Sequence, residues 1–298
     1  MRDLVYIDGR ILPPSDASVP LDDRGFLYGD GLFETVRVYH SVPFRIGRHL
    51  ERMAASAREL GIPLPRGDLA QAAASAAREL IDDAGLSSGV LRIELTRGRG
   101  AGPNPPPLES PSSLVVLASE GRLYPPELYR RGLRAVTAPF PRNERSPIVR
   151  HKTLNYLECI LARRGALAAG CDEAVFLNTA GRLAEAAASN LFIVRRGRLV
   201  TPPPSEGLLP GVARAEVLDI ARAEGIGVEE RPVEAAELAS AEEAFLTNSV
   251  LEVCPLVELD GRRIGRPAAA GTEEEMAGGE LTRLLARRYS ERAESASW

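Results

Sequence analysis

Of the 37 basic residues in this chain one, Lys152, is lysine and the rest are arginine. Arginine serves wherever a fixed cation is needed, but its pKa, above about 12, keeps it from losing a proton and acting as an amine nucleophile. Lys152 is therefore the residue through which amine chemistry would run, if burial or a cationic neighbour lowers its proton affinity. Arg150 and His151 stand close by. The plainer reading is a solvated lysine kept by chance in an arginine-biased chain. Two other features could work with an amine. The run Gly207-Leu-Leu-Pro-Gly211-Val-Ala-Arg214 puts a glycine-bearing loop at the head of a helix, where free backbone N–H groups and the helix dipole suit a phosphate; most Pro-Gly helix entries bind nothing. Glu185, inside Leu183-Ala-Glu-Ala-Ala-Ala188, is an acid among small apolar residues. It is either a buried carboxylate that needs a partner or the exposed face of a strand.

These residues must be positioned by elements legible in the pattern. An Asp8-Gly9 turn joins short strands at 5–7 and 11–12. Residues 31–39 read as a strand. Leu50, Met53, Ala57 and Leu60 give 49–60 helical spacing, ended by Gly61 and Pro63, and 69–84 is an alanine-rich helix. In the strand 90–96, Leu91, Ile93 and Leu95 share one face with Arg97, while Arg92 and Glu94 take the other. A Pro/Gly-rich loop over 100–111 precedes an apolar strand at 114–118. Beyond it, helices are expected at 152–169 and 212–224, strands at 174–177, 182–187, 191–194, 244–247 and 257–259, and a polar, mobile tail after Arg288. This mixture gives an α+β class with two domains, 1–120 and 132–298, joined by a linker over 121–131 where the pattern weakens.

Composition narrows the function classes. A net charge of −4 with both signs interspersed predicts no basic face for nucleic acid or anionic lipid. No stretch of 18 apolar residues and no signal-like start occur, so a cytoplasmic protein with no membrane partner is expected. His40, His49 and His151 lack metal-ligand spacing, and no metal is assigned. Cys159, Cys171 and Cys254, odd in number and without C-x-x-C spacing, read as core thiols.

The segments His151-Lys-Thr-Leu-Asn-Tyr-Leu157, Gly181-Arg-Leu-Ala-Glu-Ala-Ala-Ala-Ser-Asn-Leu-Phe192 and Gly207-Leu-Leu-Pro-Gly-Val-Ala-Arg214 resemble, in order and spacing, the signatures of class IV aminotransferases, the fold-type IV pyridoxal 5′-phosphate (PLP) enzymes. Upstream, Tyr28-Gly-Asp-Gly-Leu-Phe-Glu-Thr-Val-Arg37 and His49-Leu-Glu-Arg52 resemble the N-terminal motifs, so the likeness spans nearly the whole chain. It implies a small α/β N-terminal domain and a larger C-terminal domain with a pseudo-barrel of short strands and helices. It implies that Lys152 forms the Schiff base with PLP and shuttles a proton. Glu185 would contact the pyridine nitrogen, favouring the protonated ring that acts as electron sink, and Tyr156 the phenolate oxygen. Arg52, the N–H groups of Val212 and Ala213, and Ser249 would hold the phosphate. Ala213 departs from the pattern, since many relatives carry threonine there; Asn248-Ser249 stands where branched-chain enzymes commonly have Gly-Thr.

An amino-acid substrate brings a carboxylate. Three arginines compete for it: Arg92, which matches branched-chain enzymes; Arg97, whose Leu-Thr-Arg-Gly setting resembles D-amino-acid aminotransferases but lacks the histidine expected shortly after; and Arg37. Tyr28, Phe33 and Asn248 would line the substrate side. For each arginine the alternative is a structural ion pair. The expected reaction moves the amino group of a branched-chain L- or a D-amino acid to a 2-oxo acid such as 2-oxoglutarate. The runner-up is 4-amino-4-deoxychorismate lyase, forming 4-aminobenzoate and pyruvate, toward which Phe33-Glu-Thr35 and Thr247-Asn-Ser249 lean. A non-catalytic phosphate- or PLP-binding protein would require an exposed Lys152. The family resemblance implies a homodimer.

Overall fold

The structure, a computed structural model, describes residues 4–65, 68–100, 102, 104, 111–121, 124–265 and 276–297. The chain divides into two compact units. The first comprises residues 1–122, 151–156 and 293–298; the second comprises 123–150 and 157–292. Residues 126–131, expected as linker, are helix, and residues 151–156, with Lys152, belong to the first unit.

In the first unit, strands β1 (Val5–Ile7), β2 (Arg10–Leu12), β3 (Gly31–Tyr39), β4 (Val42–Pro43), β5 (Gly89–Thr96) and β6 (Ser113–Glu120) form an antiparallel sheet in the order β2-β1-β6-β5-β3-β4 among the described residues. The Asp8-Gly9 turn takes left-handed φ at both residues, as a tight hairpin between right-twisted strands requires. Helix α1 (Arg24–Tyr28) is capped by the Asp23 carboxylate. Helices α2 (Ile46–Glu59) and α3 (Leu69–Ala84) cover one sheet face: Leu50, Met53 and Ala57 of α2 and Ala73, Ala77 and Leu80 of α3 pack against Leu32, Val36, Leu91 and Ile93.

In the second unit, α4 (Pro126–Arg131), β7 (Leu133–Thr137), α5 (Leu157–Ala168), β8 (Glu173–Leu177), β9 (Leu183–Ala186), β10 (Asn190–Arg195) and β11 (Arg198–Thr201) are followed by α6 (Val212–Ala223), β12 (Val228–Glu230), α7 (Ala235–Ala239), β13 (Glu243–Asn248), β14 (Glu252–Leu259), β15 (Arg262–Arg263) and α8 (Glu280–Glu294). Among the described residues the strands run β12-β11-β10-β13-β14-β7-β8-β9, with β15 on β14. Pairs β11/β12, β14/β7 and β7/β8 are parallel and the rest antiparallel. Long, mixed sheets of short strands like this curl, and the core of Val175, Leu191, Ile193, Leu246, Cys254 and Leu256 lies along it.

Two expectations fail here for physical reasons. The helix expected over 152–169 begins only at Leu157, because residues 152–156 spend their backbone groups on β3: Phe33 N–H donates to Lys152 O at 2.8 Å and Leu154 N–H to Gly31 O at 3.0 Å. The tail after Arg288 is not loose. It is the end of α8, held by Tyr289, which is 1 % exposed, and by Arg292 donating to the buried Glu216 carboxylate at 2.9 Å.

Candidate active site

Lys152 owes its place to the pairing just described. The extended stretch beside the first residues of β3 sets its side chain next to Phe33, with Nζ 4.3 Å from the Phe33 ring centroid and 5.8 Å from that of Tyr156. The two rings meet edge to face at 5.4 Å. The amine is half-buried against aromatic surface. Such close approach needs Gly31, since a Cβ there would come 2.7 Å from a Leu154 methyl and 2.8 Å from Leu95 O. On the neighbouring strand β5, Arg92 brings its Cζ to 4.1 Å from the same Phe33 ring, while its Nε donates to Glu94 at 2.6 Å. His151 is tied to α2, Nδ1 lying 3.0 Å from Ser56 Oγ and Nε2 3.5 Å from a Glu59 oxygen.

The other two arginines are engaged elsewhere. Arg37 donates to Gly89 O at 2.9 Å, Gly121 O at 3.0 Å and Ser88 Oγ at 2.9 Å. Arg97, on the apolar face of its strand, is kept there by Asp30 at 2.7 Å, by Leu60 O at 3.0 Å and by Gly61 O. The structure thus places Arg92, but neither Arg37 nor Arg97, against the Phe33 ring that Lys152 touches. Tyr28 lies exposed at the end of α1, its ring 4.9 Å from Arg24 Cζ.

On the opposite face of β3, in register with Leu32 and Val36, sits Glu34, 1 % exposed. Two residues of α2 serve it. Arg52 donates Nε to Oε1 at 2.8 Å and Nη2 to Oε2 at 2.6 Å, and His49 Nδ1 lies 2.6 Å from Oε2. Burial acts to raise the Glu34 pKa, but Arg52 and His49 outweigh it and hold the carboxyl at about 2. Burial also pushes the His49 pKa down, more than Glu34 raises it, with Arg52 and Lys152 adding to the fall. Facing a carboxylate, which can only accept, His49 Nδ1 donates its hydrogen to Oε2. Sequence reasoning misses Glu34 and His49 as functional candidates. The signal is present, because an acid between Leu32 and Val36 on a core-facing strand poses the same question as Arg97.

The second unit carries the other group of candidate residues. Glu185, on β9, is buried and accepts from Arg142 Nη2 at 3.0 Å, Asn190 Nδ2 at 3.3 Å and the Leu209 N–H at 3.1 Å. It is a partnered buried carboxylate, not an exposed strand residue. Arg142 also donates to Glu158 at 3.1 Å and to Cys159 Sγ at 3.4 Å. Burial lowers its pKa less than Glu185, Cys159 and Glu158 raise it, and it stays a cation. Asn190 donates also to Leu209 O at 2.8 Å, bracing the loop that leads into α6. That helix starts at Gly211 with no side-chain cap, and Val212 and Ala213 open its first turn. Gly211 leaves room for the Asn190 amide, since a Cβ there would fall 2.0 Å from Asn190 Oδ1 and force that side chain to move. Across from Asn190 on β13, Thr247 Oγ1 is buried without a hydrogen-bond partner. Asn248 accepts from the Val250 and Leu251 N–H groups at 2.9 and 2.7 Å and donates to Ala188 O and Ser189 Oγ, fixing the turn that presents Ser249.

In the second unit, a helix start without a side-chain cap and a buried hydroxyl without a partner suit a phosphate, and a carboxylate with three donors suits a protonated ring nitrogen; in the first unit, a half-buried amine beside aromatic rings suits an aldehyde, and PLP carries all three groups.

The profile of the amino-transferase class IV family matches residues 31–259. A putative branched-chain-amino-acid aminotransferase of Methanocaldococcus jannaschii is 33 % identical over 293 residues, covering 96 % of this chain and 95 % of its own. A D-alanine aminotransferase of Bacillus licheniformis is 31 % identical over 272 residues, covering 89 % and 91 %. Among solved structures, the branched-chain amino acid aminotransferase of T.th. complexed with N-(5'-phosphopyridoxyl)-L-glutamate superposes with a TM-score of 0.87 at 28 % identity, covering 99 % of this chain and 95 % of that one. A putative 4-amino-4-deoxychorismate lyase of Legionella pneumophila gives 0.81 at 28 % identity, covering 93 % and 96 %.

Proposed function

The chain belongs to the class IV aminotransferases, PLP-dependent enzymes of the fold-type IV architecture, and on that premise we propose that it moves the amino group of a branched-chain L-amino acid to a 2-oxo acid such as 2-oxoglutarate. The observation that carries this choice is the fate of the arginines. Arg92, the one that matches branched-chain enzymes, shares the Phe33 ring with Lys152. Arg97, whose setting resembles the D-specific pattern, is consumed by Asp30 and two carbonyls.

When bound, PLP supplies an aldehyde that condenses with amines and a ring that accepts electron density. Lys152 would anchor it and move a proton at the substrate Cα. Glu185, which accepts from Arg142, Asn190 and the Leu209 N–H, would hold a proton on the ring nitrogen. Tyr156 would bind the phenolate oxygen. Arg52, the Val212 and Ala213 N–H groups and Ser249 would grip the phosphate. Phe33 would keep water from the amine, and Arg92 would orient a substrate carboxylate. A homodimer fits the exposed apolar stripe of α5, formed by Leu157, Ile160, Leu161 and Leu167.

The test is the visible spectrum of the PLP-loaded protein, with Lys152→Ala as control, during successive additions of L-leucine, D-alanine and L-glutamate. The reading expects a band that requires Lys152 and is bleached by L-leucine and L-glutamate but not by D-alanine. Bleaching by D-alanine alone refutes the L-specific assignment. A band that no amino acid bleaches favours the lyase, with aminodeoxychorismate the next compound to add.

A further inference from the structure

Glu34 occupies a position where an aliphatic residue would pack. Leu32, Val36 and Val38, which alternate with it along β3, are core residues, and Leu50 and Met53 of α2 belong to the same core. A carboxylate in such a place costs free energy unless it is fully paired, and swapping a buried ion pair for apolar residues is often neutral or favourable for stability. Stability alone gives no reason to keep it. What Glu34 does supply is geometry. Its two oxygens close on the Nε and Nη2 edge of Arg52 at 2.8 and 2.6 Å, fixing the plane and direction of a guanidinium whose side chain is only 12 % exposed. Without that fork, a long arginine side chain has many rotamers to lose on binding a ligand. His49 supplies the third donor, at 2.6 Å to Oε2, so the carboxylate has strong partners on both oxygens and does not swing away from Arg52.

We propose that Glu34, steadied by His49, is a positioning residue that aims Arg52 at the phosphate of the cofactor. The inference rests on the reading of Arg52 as a phosphate ligand. Its action is confined to that end of the cofactor: Glu34 affects the phosphate grip and leaves the recognition of the ring to other groups. Glutamine at this position keeps the shape but turns one acceptor into an N–H₂ donor facing an arginine donor, so the fork opens. Aspartate keeps the charge, and with it the balance of the buried cluster, but is one methylene short of closing on both nitrogens.

The experiment compares dissociation constants of pyridoxal 5′-phosphate and of pyridoxal, which lacks the phosphate, by absorbance titration of the full-length protein and its Glu34→Gln, Glu34→Asp, Arg52→Gln and Glu34→Gln/Arg52→Gln variants. Glu34→Gln is expected to weaken PLP binding about 10- to 100-fold, the equivalent of losing one charge-assisted contact, while the pyridoxal constant changes less than about twofold. Glu34→Asp should lie between it and the wild type, and the double variant should be no worse than Arg52→Gln. The proposal is overturned if Glu34→Gln, or Glu34→Asp where the glutamine variant does not fold, leaves the ratio of PLP to pyridoxal affinity unchanged while Arg52→Gln collapses it. If Arg52→Gln itself leaves that ratio intact, the phosphate reading of Arg52 falls, and the role of Glu34 falls with it.

Discussion

Arg92 and Arg97, five residues apart on adjoining positions of one strand and loop, should fail in opposite ways when each is replaced by glutamine. Arg97 is 7 % exposed and bonds Asp30 and two main-chain carbonyls. Its loss orphans Leu60 O and Gly61 O, at about 1–3 kcal/mol each; Asp30 keeps the Arg24 Nε at 2.9 Å and costs less. A total of about 3 kcal/mol results, at the low end for breaking a buried pair, or roughly 6 °C or more in melting temperature. Arg92 is about two-fifths exposed. Its pairing with Glu94 is worth about 0–1 kcal/mol in that setting and its contact with the Phe33 ring about 0.5–1 kcal/mol, so melting should drop only a few degrees. A substrate carboxylate lost by Arg92 forfeits about 1.5–3 kcal/mol, a rise in KM of roughly 10- to 150-fold. Steady-state kinetics with L-leucine and 2-oxoglutarate, beside thermal melting of both variants, read the contrast. A tenfold KM increase for Arg97→Gln with unchanged melting, or an unchanged KM for Arg92→Gln, would refute the assignment.

Two further outcomes follow from the buried groups. Acid should destabilise the protein in two stages. The folded-state pKa of His49 lies below its ordinary value near 6.5, so the unfolded chain gains a proton first and stability falls as pH drops below about 6.5. Glu34, with a folded pKa of about 2 against 4.5 in the unfolded chain, favours folding by about 3 kcal/mol more when ionised than when protonated, a difference lost as pH falls from 4.5 toward 2; denaturation profiles across pH should lose the upper stage in His49→Gln. Gly211→Ala should weaken PLP binding at least about tenfold, because the new Cβ displaces Asn190 and with it the braces on Glu185 and on Leu209; an unchanged absorbance titration would sink the idea that this glycine is required by space.

Much of this is readable in the residues. The strand at 31–39 and the helix at 69–84 have the bounds their patterns predict, because periodicity, an Asp68 cap and a glycine stop agree there. The lysine's own neighbourhood reads wrongly as helix: Leu154 and Leu157 are compatible with helical spacing, and the bonds that extend this stretch come from β3, far away in sequence. The polar end of α8 looks loose by composition, though one buried Tyr289 and one arginine pair anchor it. Arg142 has no legible signal, since it lies in an irregular proline-bearing segment where no face or period is defined. Family resemblance points to Glu185; the three donors that partner it need the fold.

The transfer of residues 151–156 to the first unit has a consequence for biosynthesis. The hydrogen bonds that finish the beginning of β3 wait for Lys152 O and the Leu154 N–H, which leave the ribosome more than a hundred residues after Gly31. A nascent chain released at residue 122 would hold the strands and helices of the first unit yet lack this pairing. The first unit is completed by the segment that carries the amine, so a product truncated there has neither a closed first unit nor a nucleophile.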